Sequence, residues 1–173
     1  MGANTSSLVS EDIEEMARES NLSPREIKRL YKRFQKLDRN QSGSLEADEL
    51  TMIPELAMNP LFPRIVQIFE SVNFREFVKL LSVFSESASE EAKRDFVFRF
   101  FDIDQDGFVS STDLIEILLM LCGSNLTQGE LEEISQLIIR DADMDKDGMV
   151  SYDDFCACDS LGTISQLCQI SLA

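Results

Sequence analysis

Oxygen-bearing side chains recur at one spacing in three places along the chain. Asp38, Asn40 and Ser42 form the first set, Asp102, Asp104 and Asp106 the second, and Asp143, Asp145 and Asp147 the third. Each set occupies positions 1, 3 and 5 of a twelve-residue stretch with glycine at position 6 (Gly43, Gly107, Gly148). An aliphatic residue stands at position 8 (Leu45, Val109, Val150) and a carboxylate at position 12 (Glu49, Asp113, Asp154). Calcium is a hard cation that takes six to eight oxygens, and this spacing wraps side-chain oxygens around one point. Position 7 adds a backbone carbonyl from Ser44, Phe108 or Met149. Position 9 adds a direct or water-mediated contact from Glu46, Ser110 or Ser151.

The pattern is that of the EF-hand loop. An acidic turn without an ion is the alternative for any single copy, and three copies in register between helical segments argue against it. The loops are not equivalent. The first ends in Glu49, long enough to offer both carboxylate oxygens. The others end in Asp113 and Asp154, one methylene shorter. Single-oxygen ligation lowers the coordination number toward six, which favours magnesium. Up to three calcium sites are expected, two of them weaker for calcium or open to magnesium.

Helices must hold these loops. Ser23-Pro24-Arg25-Glu26 gives an N-cap serine, a first-turn proline and a capping-box glutamate in order. Ile27, Leu30, Tyr31 and Phe34 follow at helical spacing into the first loop. A second hand is expected from Ile65, Ile68 and Phe69 before, and Phe74, Phe77, Val78 and Leu81 after, a degraded loop. Its position-8 aliphatic is Val72 and its position-12 carboxylate Glu76, but positions 1 and 5 fall on the apolar Ile65 and Phe69. About five residues are missing against the twelve-residue template, so this hand binds no metal. Ser71-Val72-Asn73 remains to pair as a short strand with Ser44-Leu45-Glu46. Ser85–Glu91 is a polar linker in which Ser87 and Glu90 form a candidate cap. Phe96, Phe100 and Phe101 lead into the next loop, Gly123 stops the helix after it, and Thr127 with Glu130 caps the last entering helix, which carries Leu131, Ile134, Leu137 and Ile138. The fold class expected is all-α: four helix–loop–helix hands in two paired lobes, with short β-strand pairing between loops. The expected divisions are an arm at 1–22, in which Ile13, Met16 and Ala17 share a helical face, a first pair at 23–86, a second at 87–158 and a tail at 159–173.

Composition narrows the function. The chain has 173 residues, 43% hydrophobic, with 32 acidic against 16 basic side chains and a net charge of −16. No basic stripe offers itself to nucleic acid. Cys122, Cys156, Cys158 and Cys168 form no Cys-x-x-Cys pair and there is no histidine, so reduced thiols in a cytoplasmic protein are expected. No apolar run is long enough for a membrane-spanning helix. Nor is there a phosphate-cradling glycine loop or a nucleophile elbow, so binding rather than catalysis is expected. Met1-Gly2-Ala3-Asn4-Thr5-Ser6 fits the N-myristoylation pattern at Gly2, which alone gives marginal membrane association.

Glu26-Ile27-Lys28-Arg29-Leu30 with Arg33-Phe34 and Lys36-Leu37-Asp38, Pro54-Glu55-Leu56 with Asn59-Pro60-Leu61, Arg99-Phe100-Phe101-Asp102-Ile103-Asp104 and Gly123-Ser124-Asn125-Leu126 add a more specific signature. With the Met1–Ser6 start, they make nearly the whole chain resemble the calcineurin B family, the regulatory subunits of a calcium-dependent serine/threonine phosphatase, and the calcineurin B homologous proteins. The sound first loop and short Ser85–Glu91 linker resemble the phosphatase branch. The arm Glu11-Asp12-Ile13-Glu14-Glu15 and the lost second loop resemble the homologous proteins, which bind cytoplasmic segments of sodium/proton exchangers. The phosphatase branch is preferred.

That resemblance implies a regulator that clamps a helix of the catalytic subunit and couples calcium to activation. The alternatives are an exchanger cofactor and a general calcium sensor or buffer. Hands of this type expose an apolar groove for an amphipathic partner helix. Met52, Ile53, Leu56, Leu118, Leu119, Met120 and Leu121 are the candidate groove residues, with ordinary core packing as the competing reading for each.

Overall fold

A computed structural model of the chain describes residues 10–85 and 87–158. Gly2 and the 159–173 tail lie outside the described residues. Among the described residues the architecture is mostly helical with two small antiparallel strand pairs. The chain divides into two compact units. Of the described residues, one comprises 10–57 with Phe69–Ser89, the other Met58–Ile68 with 90–158.

In the first unit, α1 (Ser10–Ser20) buries Ile13 and Met16, while its acidic residues face water. Arg75 pairs with Glu15 at 2.5 Å and Glu19 at 3.6 Å, all half exposed. Such surface pairs contribute little, so burial of Ile13 and Met16 does most to seat the helix. α2 (Pro24–Leu37) starts as its sequence signals require. The Ser23 hydroxyl accepts from the Glu26 N–H at 3.3 Å, and the Glu26 carboxylate accepts from the Ser23 N–H at 2.8 Å. Ile27 is fully buried and packs with Ile13, Met16, Leu22 and Val78. Phe34 meets Phe74 and Phe77 edge to face, with centroids 5.4 and 5.5 Å apart.

β1 (Ser44–Leu45) leads into α3 (Ala47–Thr51), a short exiting helix. Pro54 explains its length. Proline has no N–H to donate and disfavours helical backbone in the residue before it. The chain breaks at Met52-Ile53 and restarts as α4 (Pro54–Ala57). The second hand is α5 (Phe62–Phe69), β2 (Val72–Asn73) and α6 (Phe74–Ser82). Its missing metal-binding segment is visible as helix, since Ile65, Gln67 and Phe69 all lie within α5. The strand pairing survives: Ser44 faces Asn73 and Leu45 faces Val72. Ser87 does not cap the next helix; its hydroxyl donates to the Asn21 carbonyl at 3.2 Å, and Glu90 accepts from Lys93.

In the second unit, α7 (Glu90–Phe101), β3 (Phe108–Val109) and α8 (Ser111–Cys122) form one hand. α9 (Gln128–Ala142), β4 (Val150–Ser151) and α10 (Tyr152–Ala157) form the other. Gly123 ends α8 at φ +56°, a conformation open to glycine. Thr127 and Glu130 form the expected capping box on α9. Val109 pairs directly with Val150, and both pack in a core with Val97, Phe98, Leu114, Ile139 and Phe155. On α9 the buried stripe is Leu131, Ser135 and Ile139. Leu137 and Ile138 are exposed instead. Ser135 satisfies its buried hydroxyl with Ser111 at 2.7 Å and the Glu132 carbonyl at 2.9 Å. The Tyr152 hydroxyl donates to Asp95 on the entering helix of the neighbouring hand, which raises the phenol pKa.

Candidate metal centres

Each loop joins an entering helix to its exiting helix by the same backbone path. Position 4 is left-handed in all three, with φ of 57° at Gln41, 61° at Gln105 and 65° at Lys146. Position 6 follows at 86°, 90° and 94° for Gly43, Gly107 and Gly148. The chain turns sharply there, and glycine takes such φ values without steric cost.

That path directs backbone N–H groups onto the first carboxylate. Asp38 accepts from the Ser42 N–H at 2.9 Å and the Gly43 N–H at 3.0 Å. Asp102 accepts from Asp106 at 3.1 Å and Gly107 at 3.1 Å. Asp143 accepts from Lys146 at 2.7 Å and Gly148 at 2.8 Å. Asn40, Asp104 and Asp145 each accept from the residue two places on. Side chains at positions 1, 3 and 5 are thereby drawn to one side of the loop.

Two loops bring three carboxylates together. Asp102, Asp104 and Asp106 each offer an oxygen within 4.8 Å of the others, as do Asp143, Asp145 and Asp147. Like charges this close repel one another within each cluster. Oxygen donors in this number fit a hard divalent cation and offer nothing to a soft one. The first loop has one carboxylate, one amide and one hydroxyl at these positions, so it carries less charge around an otherwise matching path. Ser42 Oγ there donates to the Ser44 carbonyl at 2.9 Å.

The closing carboxylates are buried, with Glu49 and Asp113 each 3% exposed and Asp154 7%. All three bridge the loop in one way. One oxygen accepts from the position-2 N–H: Arg39 to Glu49 at 2.7 Å, Ile103 to Asp113 at 3.1 Å, Met144 to Asp154 at 3.2 Å. The other accepts from the position-9 N–H: Glu46 at 3.2 Å, Ser110 at 2.8 Å, Ser151 at 3.0 Å. The aspartates differ in one further bond. The Ser110 hydroxyl donates to Asp113 at 2.6 Å and the Ser151 hydroxyl to Asp154 at 2.5 Å. The bonds from Ser151 hold the Asp154 carboxyl below the usual carboxylate range.

None of the candidate groove residues is fully buried. Met52 and Leu121 are each 50% exposed and Leu119 is 43% exposed. Ile53, Leu56, Leu118 and Met120 are half-buried. Sequence periodicity does not reveal the further exposed apolar side chains, namely Met58, Met144 and the α9 residues Leu137 and Ile138. Among the described residues no helix is long and apolar enough to cross a membrane.

Helix–loop–helix hands closed by carboxylates and paired through two-residue strands define an EF-hand protein. Residues 90–158 match the model of an EF-hand domain pair, and residues 30–53 match an EF-hand model. Calcineurin B of Naegleria gruberi is 46% identical over 160 residues, covering 90% of each chain. The type 2 calcineurin B of Dictyostelium discoideum is 42% identical, covering 90% of this chain and 87% of its own. Calcineurin B of Schizosaccharomyces pombe is 39% identical over 151 residues, covering 84% and 87%. The chain belongs to the calcineurin B family.

Proposed function

We propose that the chain is the calcium-binding regulatory subunit of a calcineurin-type serine/threonine phosphatase. The observation that carries this reading is the near-full-length similarity to calcineurin B proteins in a chain whose three loops keep one backbone path and one mode of closure. Asp38, Asn40, Ser42, Glu46 and Glu49, with the Ser44 carbonyl, would hold the first ion. Asp102, Asp104, Asp106, Ser110 and Asp113, with the Phe108 carbonyl, would hold the second. Asp143, Asp145, Asp147, Ser151 and Asp154, with the Met149 carbonyl, would hold the third. When bound, calcium supplies the positive charge that offsets repulsion among these carboxylates.

The closing residues carry the signal. Glu49, Asp113 and Asp154 each sit in the first turn of an exiting helix. A carboxylate that leaves its position-2 and position-9 N–H groups moves that turn. The loops are graded in this respect. Asp113 and Asp154 must also give up a serine hydroxyl, and each is a methylene shorter than Glu49. These two sites are therefore weaker for calcium, or held by magnesium at rest.

Exposed apolar side chains supply the docking surface for an amphipathic helix of the phosphatase catalytic subunit. The candidates are Leu119, Leu121, Leu137 and Ile138 of the second unit. The phosphatase chemistry belongs to that partner. Gly2 is the candidate acylation site in a protein of the cytoplasm, and a single acyl chain would give only weak membrane association. Affinity capture of the tagged chain from its own cells, with partner identification by mass spectrometry, tests the reading. Recovery of a phosphatase catalytic chain supports it. Recovery of a sodium/proton exchanger tail, or of no partner at all, overturns it.

A further inference from the structure

Arg64 is the only buried basic side chain among the described residues, at 3% exposed. It lies on α5, the entering helix of the hand whose own metal loop is lost. Its guanidinium reaches the end of α7, far along the chain. Nε donates to the Phe100 carbonyl at 2.9 Å. One terminal nitrogen donates to the Arg99 carbonyl at 2.6 Å and the Asp102 carbonyl at 2.9 Å. The other donates to the Gln67 side chain at 2.9 Å.

The last carbonyls of a helix have no partner within it, and a cation at that end also meets the negative pole of the helix dipole. Arg64 supplies both needs for α7. The Asp102 contact reaches further, because Asp102 is the first ligand-position residue of the third-hand loop. Its carboxylate is held by the Asp106 and Gly107 N–H groups and its carbonyl by Arg64, so the residue is fixed from both ends.

Resting on the calcium reading above, we infer that Arg64 is a positioning residue that sets the cation affinity of the Asp102–Asp113 loop. The metal-free second hand thus keeps a role at another hand's site. Two effects oppose each other. A fixed positive charge repels a divalent ion, and a fixed ligand frame favours it. Positioning outweighs repulsion, because three of the four guanidinium bonds hold carbonyl oxygens at the end of α7, one of them the Asp102 carbonyl itself. Loss of such an outer partner typically weakens metal binding about 10- to 100-fold.

Each loop has its own reporter, since the Gly43, Gly107 and Gly148 N–H groups each bond to their own position-1 carboxylate. Calcium titration of the full chain, followed at these three amide resonances by two-dimensional NMR, reads the sites separately. Arg64→Met removes charge and donors. Arg64→Lys keeps the charge, loses the fork, and retains a donor should the first variant fail to fold. The expected result is a Gly107 midpoint raised about tenfold or more in Arg64→Lys, with the Gly43 and Gly148 midpoints unmoved. A Gly107 midpoint that stays put in both variants overturns the inference, as does one tightened by Arg64→Met. Absence of any calcium response in the unsubstituted chain would instead overturn the calcium reading itself.

Discussion

Leu45 faces Val72 across a two-residue antiparallel pair, although the loop that carries Val72 has lost its metal-binding segment. The pairing is what that hand retains. Leu45 is fully buried and Val72 8% exposed, so the pair belongs to the hydrophobic interior as much as to the backbone ladder. A hand without a twelve-residue loop still pairs with its neighbour's loop.

Leu45→Ala should therefore destabilise the chain by about 2–5 kcal/mol, the usual range for truncating a buried leucine. It should also weaken calcium binding at the first loop, since Leu45 is position 8 of that loop. Urea unfolding gives the first quantity and the Gly43 amide titration the second. A stability loss with unchanged Gly43 midpoint would mean that strand pairing and the site are independent.

Lengthening the closing residue should strengthen the aspartate-closed loops. In Asp113→Glu and Asp154→Glu the carboxylate gains the reach that Glu49 already has. Calcium affinity should rise at the altered loop and magnesium competition should fall, as read by titration calorimetry with and without magnesium. Unchanged calcium affinity in both variants would show that side-chain length does not grade these sites.

The capping box of α2 should make part of the stability pH-dependent. Bonds from the Ser23 side chain and N–H lower the Glu26 pKa below its ordinary 4.5. A carboxyl with depressed folded-state pKa stabilises the fold above its unfolded pKa, and that contribution is lost as pH falls through the folded value. The urea midpoint of the unsubstituted chain should exceed that of Glu26→Gln at pH 7, and the difference should shrink below about pH 4. A difference independent of pH would assign the effect to the cap's neutral hydrogen bonds.

The parts legible in the sequence are those set by neighbours in the chain. Loop ligands sit within twelve residues of one another, and the capping boxes at Ser23 and Thr127 span four. Strand register follows from counting position 8 in each hand, which places Leu45 opposite Val72 and Val109 opposite Val150. Contacts between distant segments leave no such trace. Nothing local to Arg64 indicates that it reaches the Asp102 carbonyl. Periodicity does not separate the faces of α9, because Leu137 and Ile138 are as apolar as Ile139; the buried Ser135 selects the true face only once Ser111 is seen to bond it. Ser87 satisfies the spacing of a cap but finds the Asn21 carbonyl instead.

If the three loops pass calcium occupancy to a phosphatase, the activity of the reconstituted complex with a calcineurin-type catalytic subunit follows free calcium. The unsubstituted chain is compared with Glu49→Gln/Asp113→Asn/Asp154→Asn. The expected result is activity that rises with calcium in the unsubstituted complex and loses that rise in the triple variant, while the two chains still co-elute. Identical calcium dependence in both complexes would contradict the claim.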